Sequence, residues 1–179
     1  MNRQSGQLEL ADMVVPVNNK MKILALDQSS KETGWSIFDS ESKELLDFGL
    51  ISINYSNLEK RLFYLREEVR KLIEKYNIEK VYLEDIQLQK ITNGVTTYKV
   101  LAEVIGVLLE LFYELNVSFE LIFSTTWKSK LGIKGSDRKT QKANAKKYVE
   151  ENYVLDKELA QDIADSICIG TYCINNFSN

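Results

Sequence analysis

The stretch "MKILALD", residues 21–27, is the clearest strand signal in this chain. Its core is a short, uninterrupted apolar run, which is typical of a buried β-strand. The run stops at Asp27. The stretch therefore predicts a buried strand that carries a carboxylate at its carboxyl end, and the other elements can be placed around it.

Two further strands follow this one closely along the chain. The segment "TGWSIFD" (33–39) alternates after a polar turn, and "LLDFGLISI" (45–53) is a third apolar segment. Short connections between consecutive strands favour an antiparallel meander. The first third of the sequence therefore predicts three adjacent antiparallel strands.

The rest of the chain alternates helical and strand patterns. Leu58, Leu62, Leu65 and Val69 recur at intervals of three and four, which predicts an amphipathic helix over about 56–76. The later segments predict a strand over 80–85, a helix over 94–115, a strand over 117–123, a helix from about 138 and a last helix over about 157–174. The resulting order predicts an α/β fold with a five-stranded mixed sheet flanked by helices.

Length and composition are those of a single globular domain. The chain has 179 residues, of which 44% are hydrophobic and 27% charged. Residues 1–20 lack periodicity, so we expect a leader or tag there and one domain over 21–179. No apolar run approaches the ~18 residues of a membrane span, and we expect no membrane attachment. The spacing of Cys168 and Cys173 does not favour a disulfide, which indicates a reducing, cytoplasmic compartment.

The sequence contains no histidine. This excludes Ser-His-Asp and Cys-His catalysis and every metal site that needs an imidazole ligand. Hydrolytic chemistry would have to use carboxylates, lysines or hydroxyl groups. Carboxylates prefer hard cations, so Mg²⁺ or Mn²⁺ is the expected metal.

Four acids occupy positions that favour such a metal site. Asp27 ends the first predicted strand, Glu84 ends the fourth, and Asp162 and Asp165 lie three residues apart in an otherwise apolar helix. Strand-end residues converge if the first and fourth strands are parallel neighbours. Two carboxylates on one apolar helix face are costly unless a cation neutralises them. The four acids together therefore predict a divalent-metal site.

A basic strip runs from Trp127 to Lys147 in a chain whose net charge is −3. The strip contains one acid, Asp137, and has a net charge of +7, which leaves −10 for the rest of the chain. Its cations are Lys128, Lys130, Lys134, Arg138, Lys139, Lys142, Lys146 and Lys147. A local cluster of this kind predicts contact with a polyanion such as DNA, although a solvated helix face has the same composition.

Four motifs resemble the RuvC-type Holliday junction resolvases of the RNase H-like superfamily, most closely the shorter phage and Gram-positive forms. The resemblance covers about residues 21–175 and rests on "ILALDQSSKETGWSIF", "VYLED", "STTWKSKLGIKGSDRKTQKANA" and "DIADSICIG". It implies an RNase H-like fold and a homodimeric endonuclease that cuts branched DNA in the cytoplasm of a bacterial or phage-infected cell.

The resemblance also implies roles for individual residues. The family's metal ligands fall on Asp27, Glu84, Asp162 and Asp165, which would hold two Mg²⁺ or Mn²⁺ ions per active site. Its functional lysines match Lys128 and Lys139 best, with Lys139 as a catalytic residue, and the other basic residues of the strip would contact DNA. Cleavage would leave a 5′ phosphate and a 3′ hydroxyl. Bacterial members of the family carry an aromatic wedge three residues beyond the catalytic Glu, and this chain has Gln87 there, followed by Leu88.

The departure at Gln87 leaves the substrate range open, because leucine can also wedge between bases. Forks and flaps are therefore possible substrates beside four-way junctions. An RNA-processing nuclease of the same fold and a catalytically silent DNA-binding module remain alternatives. An ATP-binding domain of the actin and sugar-kinase type is another, although the loop after Asp27 lacks the glycines that would bring its backbone N–H groups to a phosphate.

The helix over about 94–115 predicts self-association, because it is apolar nearly all round. One set of its residues is expected to face the sheet: Leu101, Ile105, Leu108 and Phe112. A second set is then expected to face outward: Val100, Val104, Val107 and Leu111. A large exposed apolar stripe usually marks an interface, and two-fold symmetry is its commonest use.

Overall fold

The computed structural model describes residues 21–86, 94–156 and 158–176. These residues form one five-stranded sheet with helices on both faces. The strands are β1 (Lys22–Asp27), β2 (Glu32–Asp39), β3 (Leu45–Ser52), β4 (Ile78–Asp85) and β5 (Ser118–Phe123). The helices are α1 (Leu58–Tyr76), α2 (Gly94–Glu114), α3 (Ser124–Lys130), α4 (Arg138–Asn152) and α5 (Gln161–Asn175).

The sheet has the order β3-β2-β1-β4-β5. The β1–β2 and β2–β3 pairs are antiparallel, whereas β4 is parallel to both β1 and β5. The predicted meander and the mixed sheet are therefore confirmed. In the register of β1 against β4, Leu26 pairs with Leu83, which places the next residues, Asp27 and Glu84, side by side at one edge of the sheet.

Strand β1 is the centre of the core, because its apolar residues pack against both layers of helices. Ile23 and Ala25 contact the cluster formed with α4 and α5, and Leu24 and Leu26 contact the cluster formed with α1 and α2. All four side chains are fully buried. The uninterrupted apolar run in the sequence thus reflects a strand that is covered on both faces.

Side-chain caps mark the starts of two helices, and α4 begins at Arg138 as predicted. Asn57 caps α1 through a hydrogen bond from the Lys60 backbone N–H, and Asp137 caps α4 in the same way through Thr140. Helix α3 was missed, since seven residues show too little periodicity. The last helix begins at Gln161 rather than at about 157, so Asp162 lies in its first turn.

The predicted outward face of α2 is wrong in part. Val104 and Leu111 are fully buried, because α1 packs against the side of α2 that was expected to be open. Arg66 and Arg70 of α1 reach across to the glutamates of α2; Arg66 lies 3.1 Å from Glu110. The exposed face of α2 instead contains Ala102, Gly106 and Tyr113.

Residues 1–20, predicted to be a leader, lie outside the described ranges. Within those ranges no helix combines the length and the hydropathy needed to cross a bilayer. Cys168 and Cys173 are both free and buried, as their spacing predicts.

Candidate active site

The carboxyl ends of β1 and β4 form the floor of a cavity of about 540 Å³. Asp27 and Glu84 line it from neighbouring strands. Asp162 and Asp165 line it from the start of α5. The structure therefore brings all four predicted metal-binding acids to one cavity.

Helix α5 reaches this position because β2 has no side chain at Gly34. Gly34 pairs with Asp27 in the β1–β2 ladder, and a Cβ atom built there would lie 1.8 Å from the backbone oxygen of Asp162. The backbone of α5 thus packs directly on the strand next to Asp27. This close approach sets the distance between the acids of α5 and those of the sheet.

Neutral side chains orient the acids through hydrogen bonds. The buried Trp127 donates from Nε1 to Glu84 Oε2 at 3.1 Å, and Gln161 donates from Nε2 to Asp165 Oδ1 at 3.0 Å. Gln28 donates from Nε2 to the backbone oxygen of Glu84 at 2.7 Å. Sequence reasoning missed these three donors, because only the folded chain places them beside the acids.

Burial and mutual repulsion raise the pKa values of the acids. The pKa of Asp27 lies well above its ordinary value, mainly because the carboxyl is desolvated and further because Asp165, Glu84 and Asp162 are close. Burial is also the main cause that raises the pKa of Glu84, Asp162 and Asp165. Lys142 opposes the shift at Asp27. A cavity in which carboxylates lack solvation and repel one another favours the binding of a cation.

The donor set fits a hard divalent cation. Carboxylate oxygens are preferred ligands of Mg²⁺ and Mn²⁺, and Gln28 lines the same cavity with a buried amide oxygen that has no hydrogen-bond partner among the described residues. In the described part of the chain, no three of these groups are gathered tightly enough to form a ready-made metal site. Ion binding would therefore draw the carboxylates together.

The basic strip divides into residues inside and outside the cavity. Lys128, Arg138 and Lys142 line it together with the acids. Arg138 and Lys142 are four residues apart on α4 and share one helix face. Lys128 lies over the ring of Trp127, with Nζ 4.9 Å from the ring centroid, so one indole orients both Glu84 and Lys128.

The other cations of the strip do not line this cavity. They are Lys130, Lys134, Lys139, Lys146 and Lys147. Lys139, predicted to be catalytic, is exposed, and Lys147 lies 3.6 Å from Glu151 in an exposed ion pair. These residues remain predicted DNA contacts, and the catalytic role of Lys139 stays a prediction. The predicted wedge, Gln87 and Leu88, lies outside the described residues.

The loop after β1 is not arranged to bind a nucleotide phosphate. The backbone N–H of Ser29 donates to Thr33 Oγ1, and those of Lys31 and Glu32 donate to Ser29 Oγ. A phosphate loop needs such N–H groups to point at the ligand. The internal hydrogen bonds of this loop therefore count against the ATP-binding alternative.

Solved structures share this fold. Thermus thermophilus RuvC in complex with Holliday junction substrate matches with a TM-score of 0.64 at 12% identity, over 85% of this chain and 91% of that chain. The fowlpox virus Holliday junction resolvase matches with a TM-score of 0.61 at 18% identity, over 88% of this chain and 100% of that chain. The yeast mitochondrial Holliday junction resolvase Ydc2 matches with a TM-score of 0.55 at 17% identity, over 87% of this chain and 78% of that chain. No curated protein sequence matches the chain significantly.

The mixed sheet and its flanking helices define an RNase H-like fold of the resolvase type. The sequence model for the family described as "Crossover junction endodeoxyribonuclease RuvC" matches residues 23–172. The chain belongs to the RuvC family, and it is an endonuclease of that class. The resemblance found in the sequence motifs is confirmed.

Proposed function

We propose that this protein is a divalent-metal-dependent endonuclease that resolves four-way DNA junctions as a homodimer. One observation carries the proposal: four desolvated carboxylates and three cations share a single cavity at the ends of β1 and β4. Carboxylates of this kind suit metal ions, and the adjacent cations suit a phosphodiester. Family membership supports the choice of a junction as substrate.

The four acids have different places in the proposed reaction. Two ions held about 3.5–4 Å apart would supply an activated water and stabilise the leaving oxygen. Each of the other three acids raises the pKa of Asp27, so Asp27 is close to all of them and is the residue suited to hold both ions. Glu84 and Asp162 would hold one ion each, and Asp165 would complete the set. The products would carry a 5′ phosphate and a 3′ hydroxyl.

Lys142 is the lysine of α4 that is best placed to neutralise the scissile phosphate. Lys142 lines the cavity and lowers the pKa values of Asp27 and Asp162. Lys139, which follows Arg138 on α4, is exposed and does not line the cavity. Such a cation stabilises charge that builds up on the phosphate oxygens, which is a role that requires no proton transfer.

A two-fold dimer suits a junction with two equivalent strands. The exposed face of α2 supports this assembly, because Ala102 and Gly106 leave room for a close neighbour and Tyr113 is 89% exposed. A Cβ atom built at Gly106 meets no other atom within 4 Å. Self-association through this face would place two active sites on one junction.

The test is a cleavage assay on a synthetic mobile four-way junction, with parallel samples of a replication fork, linear duplex DNA and structured RNA. The proposal predicts paired nicks in the junction with Mg²⁺, none with EDTA, and little cleavage of duplex. Preferential cleavage of the RNA would favour the RNA-processing alternative. Junction binding without cleavage at any Mg²⁺ or Mn²⁺ concentration would favour the silent DNA-binding module.

A further inference from the structure

Among the described residues, the side chain of Gln28 is the one neutral oxygen ligand that is buried at the acidic cavity without a hydrogen-bond partner. Gln28 follows Asp27 directly, lines the cavity and is only 5% exposed. Its Oε1 atom accepts no hydrogen bond from the described residues. The other unpartnered buried polar atom in those ranges is Arg61 Nε, and that guanidinium already donates twice through Nη1 to Tyr55 and Ser56.

The orientation of the Gln28 amide is fixed by its other end. Nε2 lies 2.7 Å from the backbone oxygen of Glu84, and a carbonyl oxygen can only accept. The opposite orientation would set two oxygens against each other, so Oε1 has to point away from Glu84. This hydrogen bond also extends the β1–β4 pairing one step beyond Leu26 and Leu83.

The backbone on both sides of Gln28 is held rigidly. Asp27 ends the β1 ladder opposite Gly34. On the other side, the Ser29 N–H donates to Thr33 Oγ1 at 3.1 Å, and Thr33 Oγ1 donates to the Ser29 backbone oxygen at 2.9 Å. Gln28 therefore has little freedom to turn its amide toward another partner in the chain.

A buried acceptor without a partner destabilises the fold, so such a group is retained where a ligand satisfies it. Bulk water cannot do so here, because Oε1 is closed off from solvent. The neighbouring carboxyls of Asp27 and Glu84 are acceptors when ionised. A cation that binds as the carboxylates draw together is the partner that both the amide oxygen and the carboxylates require.

We propose that Gln28 is a fifth metal-binding residue: its Nε2 holds the Glu84 strand end in register with Asp27, and its Oε1 supplies a neutral oxygen to the coordination sphere of a divalent cation. The proposal rests on the function proposed above. It adds a fifth residue to the four acids and predicts that metal affinity depends on an amide.

The experiment is a calorimetric titration of Mn²⁺ into the full chain and its variants. Gln28→Met keeps the size of the side chain but removes both amide contacts, and the dissociation constant for Mn²⁺ is expected to rise about 10- to 100-fold. Ser118→Ala is the matched control. It removes a 3.0 Å side-chain bond to the backbone of Glu79, which joins β5 to β4 at the opposite end of the sheet, and it should leave Mn²⁺ affinity unchanged.

A rescue variant separates the two contacts of the amide. Gln28→Glu restores an oxygen but has no N–H to donate when ionised, and its affinity for Mn²⁺ should return to within a few-fold of wild type. If Gln28→Met does not fold, Gln28→Asn replaces it, since the shorter amide withdraws its oxygen and should bind Mn²⁺ about 10-fold more weakly.

The outcomes distinguish this proposal from the proposed function. Equal Mn²⁺ affinity of wild type and the Met or Asn variant would overturn the role of Gln28 and leave the four-acid site intact. If Gln28→Glu does not restore Mn²⁺ affinity, the proposed contribution of Oε1 to metal binding is wrong. Only the hydrogen bond from Nε2 to the Glu84 backbone oxygen would then matter. A wild-type protein that binds no Mn²⁺ at all would overturn both the metal site and the role of Gln28.

Discussion

Gly34 offers the sharpest test of how the site is assembled, because a single methyl group there meets the backbone of α5. The Cβ of an alanine would lie 1.8 Å from the Asp162 oxygen and 2.7 Å from the Ile163 nitrogen. An ordinary contact needs at least 3.4 Å, so the start of α5 must retreat by about 1.6 Å. Asp162 and Asp165 would retreat with it, away from Asp27.

The expected consequences of Gly34→Ala are large for cleavage and moderate for stability. A displacement of about 1 Å in a catalytic group can lower the rate about 100-fold, so single-turnover cleavage should fall by at least that factor. Overpacking costs about 1–3 kcal/mol, which for a chain of this length lowers the melting temperature by about 2–12 °C. The assays are single-turnover cleavage of a labelled four-way junction and thermal unfolding.

Gly49→Ala is the matched control, because Gly49 also lies in a strand and a Cβ atom added there would be too close to a neighbouring side chain. That Cβ would lie 2.6 Å from the ring of Trp35, on a part of β3 that does not line the acidic cavity. It should cost similar stability and leave the cleavage rate of the folded protein near wild type. If Gly34→Ala cleaves as fast as Gly49→Ala, the close approach of α5 does not set the geometry of the site.

Three further predictions concern charge and assembly. Lys142→Ala should lower the cleavage rate about 100- to 1,000-fold. Lys139→Ala should mainly weaken DNA binding and reduce the slope of the log binding constant against log salt concentration by about 0.9. The reverse result would restore Lys139 as the catalytic lysine. The raised pKa of Asp27 means that the folded metal-free protein holds protons which the unfolded chain has released. Its melting temperature in EDTA should therefore fall as pH rises above about 4, and Asp27→Asn should flatten that profile. A metal-free protein that gains stability from pH 5 to pH 8 would contradict the burial of these acids. Light scattering should give twice the 20.6 kDa mass of one chain, and the double variant Gly106→Glu with Tyr113→Glu should be monomeric at unchanged helix content; a wild-type monomer would refute the dimer.

The central parts of the fold could be predicted from the sequence alone. Strand β1 and the acids at the ends of β1 and β4 could be predicted because an apolar run buried on both faces leaves a clear signal. The pair Asp162 and Asp165 was visible because charges in an apolar helix are conspicuous. Each of these signals is local, and each concerns residues that lie close together along the chain.

Other features depend on how the elements pack. Helix α4 is basic on several faces, so the sequence could not show that Arg138 and Lys142 face the acids while Lys139 does not. The outward face assigned to α2 was wrong at Val104 because α1 packs there. The hydrogen bond from Trp127 to Glu84 joins residues 43 positions apart and depends on the short helix α3, which the pattern did not reveal.

The proposed function requires that the four carboxylates at the ends of β1 and β4 and the start of α5 bind divalent metal ions. The most direct measurement is anomalous scattering from crystals of the protein grown with Mn²⁺ and recorded near the manganese absorption edge. The claim predicts an anomalous peak within about 2.0–2.3 Å of an Asp27 carboxylate oxygen, with Glu84 or Asp162 as a further ligand. Well-ordered crystals saturated with Mn²⁺ that show no peak in this cavity, or a peak elsewhere on the chain, would contradict it.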